Sequence, residues 1–89
     1  MIWSNLTDEQ RKDIESKVRV AVRGVGMPIT TTRWAYVDGL QQWQLLIATT
    51  WIDQKGRETT NRALTDALRK ANIDAPMNGV VLDSSQKGE

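Results

Sequence analysis

The side chains that most often carry catalysis are missing: the chain has no His and no Cys. This removes disulfides, thiolate or imidazole zinc sites, Ser-His and Cys-based nucleophile pairs and any histidine pH switch. Chemistry would fall to carboxylates, Lys, Arg, Tyr36 or hydroxyls. The most tempting pair is Asp38 and Asp53, each at the end of an extended run. At ~3.3 Å per strand residue they lie about 30 Å apart, whereas glycosidase carboxylates work within ~10 Å, so a dyad is excluded. Gly24-Val25-Gly26 lacks the third glycine and the following helix of a phosphate loop, and helix termination explains it better. Asn5-Leu6-Thr7 matches a glycosylation acceptor, which matters only on a secreted chain. No catalytic residue, metal site or cofactor is expected, and the chain reads as a non-enzymatic module.

The aromatic residues are unusual: four Trp, one Tyr and no Phe. Apolar filling alone would be expected to use Phe, whereas Trp brings an N–H that needs a partner. Twelve Lys and Arg against eleven Asp and Glu give a net charge of +1, so bulk attraction predicts neither nucleic acid nor an acidic partner. Two segments are locally basic, Arg11 to Arg23 and Lys55 to Lys70, each with five cations against two anions. Solvated helix faces commonly look like this. Residues 1–6 lack a charged start followed by an apolar run, and the longest apolar stretch, Leu45 to Ala48, is far short of the ~20 residues of a membrane helix. A cytoplasmic protein without a membrane partner is the expectation.

The elements that must position these residues follow from periodicity. Thr7-Asp8-Glu9-Gln10 reads as a capping box, and Ile14, Val18, Ala21 and Val22 form one helical stripe. Gly24 is expected to end this helix, with Pro28 preventing its resumption. From Ile29 the residues turn β-branched and aromatic, and two antiparallel strands are expected, the second over Trp43 to Ile52, joined around Asp38 to Gln42. Asp53 to Gly56 reads as a turn. Ala63, Leu64, Ala67, Leu68 and Ala71 share one face of a second helix, with Thr59 or Thr60 as its cap and Asn72 as its left-handed close. Gly79 to Asp83 reads as a last strand, and residues 84–89 as a frayed tail.

With Met1-Ile2-Trp3 as a short opening strand, the order is βαββαβ within a single domain over residues 1–83. That is an α+β, ferredoxin-like two-layer sandwich, with two helices on one face of an antiparallel sheet. The stretch Ala71-Asn72-Ile73-Asp74-Ala75-Pro76-Met77-Asn78, followed by Gly79-Val80-Val81-Leu82, resembles the end of the C-terminal α/β domain of small-conductance mechanosensitive channels. There a helix leads through an Ala-Gly-Ile-x-Ile-Pro-x-Pro type turn into a strand. Asn72 stands for the Gly, Ala75 for the second Ile and Asn78 for the second Pro. The resemblance covers about half of the chain, Trp43 to Asp83. It implies α/β topology and a habit of oligomerising, and it transfers no functional site.

Side chains alternate along a strand. A two-residue turn at Gly39-Leu40 sets Tyr36 opposite Trp43 and Trp34 opposite Leu45. Trp34, Tyr36, Trp43, Leu45, Ile47 and Trp51 then share one face, leaving the smaller Ala35, Val37, Leu46, Ala48 and Ile52 to meet the Ala-lined helix. The large face would exceed the apolar patch that soluble monomers tolerate. Its expected cover is a second copy of the chain, giving a homodimer. The alternatives are single-stranded nucleic acid, with rings stacked on bases and Arg33, Arg57 and Arg62 on phosphates, and a small ligand in a Trp-lined pocket. The plainest alternative is that the first helix or the N-terminal segment packs there and these are core residues.

Overall fold

A computed structural model describes residues 3–76 and 79–84. The first helix, α1, spans Asp8–Gly24. Its capping box forms as the sequence predicts: Gln10 N–H donates to Thr7 Oγ1 at 3.2 Å, and Thr7 N–H donates to Gln10 Oε1 at 2.9 Å. Asp8 and Glu9 lie at the positive end of the helix dipole and Arg23 at its negative end. Val18 and Val22 are fully buried, whereas Val20, on the far side, is 71% exposed. The helix runs through Gly24, and the left-handed turn falls two residues later, at Gly26 (φ 86°). Met27 N–H returns to Val22 O, and the Met27 side chain enters the core.

Strands β1 (Thr31–Val37) and β2 (Gln42–Thr49) form an antiparallel hairpin. The expected register holds, with Tyr36 opposite Trp43 and Trp34 opposite Leu45. The connection is the four residues 38–41, and its left-handed position is Gln41 (φ 52°) rather than Gly39. The second strand stops at Thr49, three residues short of the expected Ile52. Thr49 is buried, and its Oγ1 accepts from Trp51 N–H at 3.2 Å, which turns the chain into a short helix, α2 (Trp51–Lys55). The expected turn at residues 53–56 is therefore mostly helical.

Gly56 joins α2 to α3 (Arg57–Lys70) at φ 88°, ψ 158°, a conformation essentially reserved for glycine. Thr59 and Thr60 do not cap α3, because the helix starts before them. Thr60 is instead fully buried, with its hydroxyl 2.7 Å from Gly56 O and 3.1 Å from Trp51 O, tying α3 to α2. Leu64 and Ala67 continue that buried face. Asn72 (φ 57°) closes the helix as expected.

The final strand, β3 (Val80–Ser84), corrects the topology. It pairs with β2 in parallel, Leu45 opposite Val80 and Ile47 opposite Leu82, giving a mixed sheet in the order β1-β2-β3. A ferredoxin-like arrangement would put the opening strand beside β2 and keep the last strand off it. Here α2 and α3 form the crossover that parallel pairing needs, and β3 occupies that place. Met1 and Ile2 lie outside the described residues, and Trp3 contributes a single ladder-like bond, its carbonyl accepting from Trp43 N–H at 2.9 Å. Among the described residues, three helices and a three-stranded mixed sheet thus stand in place of the expected antiparallel sheet with two helices. The proposed tail, beyond Ser84, also lies outside the described residues.

Candidate interaction surface

The core joins α1, α3 and one face of the sheet: Val18, Val22, Met27, Leu45, Ile47, Leu64 and Leu82, with Trp34, Trp51 and Ile52 packed around them. A polar clamp pins α1 to β1. Arg19 donates to Thr32 Oγ1 at 2.7 Å, and the Thr32 hydroxyl donates to the Glu15 carboxylate. Thr32, Trp34 and Tyr36 alternate onto the same side of β1, so the helices lie over the large-residue face.

This corrects the expected division of the sheet. Leu45 and Ile47 are 0% exposed beneath the helices, and Trp34 lies among the core residues. Trp34 meets Trp3 edge to face at 5.5 Å, and Trp3 is itself fully buried. The volume argument failed because the helix layer is bulkier than the Ala stripe of α3 suggests. Ile14, Val18 and Val22 of α1, with Met27 and Leu68, supply the rest, and large side chains are needed on the sheet to meet two helices.

Trp43 and Tyr36 lie at the hairpin end of this face, 5.5 Å apart and nearly perpendicular. The Arg11 guanidinium stands 4.0 Å from the Trp43 ring centroid and donates to Leu6 O at 2.8 Å. Tyr36 is 45% exposed. Trp51 is not on the strand face: it opens α2, half-buried, with Lys55 Nζ 4.7 Å from its ring centroid. Among the described residues no acceptor faces the buried indole N–H groups of Trp3 and Trp34.

The three candidate phosphate contacts are not brought together. Arg57 donates to Leu82 O at 2.9 Å, and Arg62 lies 3.6 Å from Glu58 on exposed α3. Arg33 is on the other side of the sheet, in the row of Leu46 and Val81. Asp38 and Asp53 are separated as expected, Asp38 in the hairpin loop and Asp53 in α2, where its carboxylate accepts from the Ser84 hydroxyl at 2.7 Å. No group of three or more metal-ligating side chains occurs among the described residues.

The opposite face of the sheet is the surface that sequence reasoning assigned to the helices. Across its rows stand Thr31, Ala48 and Asp83, then Arg33, Leu46 and Val81, then Ala35 and Gln44, then Val37 and Gln42. Ala35, Val37, Leu46, Ala48 and Val81 are all half-buried, and none of the described helices lies on this side. Its aliphatic character was legible in the strand alternation. Only its exposure was not. A separate cleft of about 410 Å³ lies between α1 and the chain after α3, walled by Trp3, Leu6, Ile14 and Ile73, with Asp13 and Lys17 paired at 3.0 Å on its rim.

No protein-family model, curated protein or solved structure matches the chain. No helix of the described residues is long and apolar enough to cross a membrane.

Proposed function

We propose that this chain is a small non-enzymatic interaction module that self-associates through its sheet. The associating surface is the aliphatic face of Ala35, Val37, Leu46, Ala48 and Val81 rather than the Trp-bearing one. The observation that carries this reading is the one-sided helix layer: α1 and α3 cover Leu45 and Ile47, while none of the described helices lies over Ala35, Val37, Leu46, Ala48 and Val81. A sheet face that meets only water normally alternates to polar residues, and this one keeps five aliphatic side chains. A second copy of the chain supplies the same aliphatic character, and symmetric pairing is the commonest way to cover such a surface.

Light scattering or sedimentation from low to high micromolar concentration tests the reading. The wild type should shift from monomer towards dimer, and Leu46→Lys should stay monomeric with unchanged circular dichroism. A wild type that stays monomeric throughout would end the proposal.

One observation favours a second reading, single-stranded nucleic-acid binding: Arg11, Trp43 and the exposed Tyr36 form a contiguous cation and ring cluster at the hairpin end. It predicts quenching of Trp fluorescence by an oligonucleotide, weakening steeply with salt. An absence of quenching at low salt would dispose of it.

A further inference from the structure

We propose that the outer edge of β1 takes up an extended acidic segment of another protein as an added antiparallel strand. This site is separate from the aliphatic face and does not rest on self-association through it.

The direction of the backbone groups locates the site. Trp43 N–H donates to Trp3 O and Leu45 N–H to Gly79 O, both on the β3 side of β2. Backbone groups alternate in direction along a strand, so the even positions of β2 bond to β1, where their partners are Thr31, Arg33, Ala35 and Val37. The N–H and C=O groups of Thr32, Trp34 and Tyr36 therefore point out of the sheet, along ~13 Å of edge at ~3.3 Å per residue. The strand is terminal in the order β1-β2-β3, and among the described residues no backbone group bonds to this edge. Edges left open to solvent are commonly blunted by Pro, Lys or a very short strand. Here β1 has seven residues and neither Pro nor Lys.

The charges beside the edge select the partner. Ile14, Val18 and Val22 turn into the core, and Asp13 and Lys17 flank them on the side of the chain after α3. The opposite flank of α1, Lys12, Glu15, Ser16 and Arg19, lines a shallow depression, and its Glu15 and Arg19 reach Thr32. Arg11 stands over Trp43, which is opposite Tyr36, so the N-terminal turns of α1 lie at the hairpin end. Lys12 is thus placed along the edge on the helix side, and Arg33 on the other side of the same strand. Glu15 is taken by Arg19 at 3.3 Å, whereas among the described residues no carboxylate pairs with Lys12 or Arg33, and both are exposed. A strand added antiparallel to β1 runs between these two cations. Its residue opposite Arg33 falls in a non-hydrogen-bonded pair, with Cα atoms ~4.5 Å apart, where a carboxylate meets the guanidinium directly. A second copy of β1 is a poorer occupant. A two-fold pairing that uses every edge group sets Trp34 opposite its own copy, which brings the two Arg33 to diagonal positions ~7–8 Å apart and both Lys12 flanks to one seam. Like charges then gather where an acidic segment neutralises them.

Fluorescence anisotropy with a capped, labelled heptapeptide alternating Val and Glu tests this, against the same peptide with Lys in place of Glu. The Glu peptide should bind about tenfold or more tightly than the Lys peptide at low salt, and should weaken as salt is raised. Arg33→Glu should weaken it about tenfold and Lys12→Glu by less, because only Arg33 is directly opposite a peptide side chain. When Glu faces Arg33, the Val amides are the ones that point at β1. N-methylation of the Val amides should therefore abolish binding, and N-methylation of the Glu amides should be tolerated. Bound Glu peptide should slow amide exchange at Thr32, Trp34 and Tyr36. Equal binding of the Glu and Lys peptides would overturn the acidic partner. Indifference to N-methylation of the Val amides, or unchanged exchange at those three positions, would overturn strand addition. No binding of the Glu peptide at millimolar concentration would overturn the site as a whole. If the wild type dimerises, and Thr32→Pro dissolves the dimer while Thr32→Val and Leu46→Lys do not, a second copy takes the edge and the proposal is again overturned. A wild type that stays monomeric yet binds the Glu peptide would end the self-association reading and leave this one standing.

Discussion

Neighbouring positions of β2 provide the sharpest test of which way the sheet faces. Ile47 is 0% exposed among Val18, Val22, Leu64 and Leu82. Ile47→Ala removes its outer methyl groups and leaves a cavity that two helices and a strand can only partly close. The cost is about 2–5 kcal/mol, and Ile47→Val about 0.5–1.5 kcal/mol. Leu46, one residue away, points to the other side and is only half-buried. Truncating it exposes neighbours to water without opening a closed cavity, so Leu46→Ala should cost about 1 kcal/mol in the monomer. For a domain of this length 1 kcal/mol moves Tm by about 4–8 °C, so Ile47→Ala should lower Tm by roughly 8–40 °C and Leu46→Ala by under ~10 °C. Thermal or urea melts followed by far-UV circular dichroism would read both. They should be run at low micromolar protein so that association does not add to apparent stability. If Leu46→Ala costs as much as Ile47→Ala under those conditions, the helices cover the other face and the reasoning fails.

Other contacts make independent predictions. Thr7→Ala removes half of the capping box and should destabilise by about 1 kcal/mol in a urea melt, with Thr7→Ser close to neutral. A Cβ at Gly79 would lie 2.9 Å from Pro76 Cδ and 3.0 Å from Pro76 O, where Gly79 N–H bonds back to Pro76 O and Gly79 O accepts from Leu45 N–H. Gly79→Ala should therefore cost about 1–3 kcal/mol and increase amide exchange at Leu45; an unchanged Tm would show that this turn yields easily. Thr60→Val keeps the shape but removes the hydroxyl that bonds to Trp51 O and Gly56 O, and a loss of about 1–3 kcal/mol in the same melt is expected. A neutral result would mean that the link from α2 to α3 is carried by packing alone.

Local rules account for much of this chain. The capping box, the stripe of Ile14, Val18 and Val22 and the left-handed Asn72 are matters of a few neighbouring residues, and they appear where spacing puts them. The hairpin register was legible for the same reason. A seven-residue separation of Tyr36 from Trp43 is still local, and a four-residue loop with Gln41 left-handed preserves the pairing that a two-residue turn would make. Where local signals competed, the sequence misled. Trp51 and Ile52 continue a β-favouring run, yet the Thr49 side chain bonds forward to Trp51 N–H and the chain coils into α2. Helix α1 does end at Gly24 as expected, but the left-handed residue is Gly26.

By itself, the sequence determined the composition of each face of the sheet: alternation sorts Trp34, Leu45 and Ile47 from Ala35, Leu46 and Ala48 whatever the rest of the chain does. Tertiary structure alone decided which face the helices take and which strand lies beside β2. Both are long-range choices, set by the summed volume of α1, α3 and Met27 against the sheet and by β3 finding the open edge of β2 after a helical crossover. Neither quantity belongs to any single segment. The Trp-rich face that looked in need of a partner from outside is the one this chain covers with its own helices, and the candidate interaction surface is the plainer face behind it.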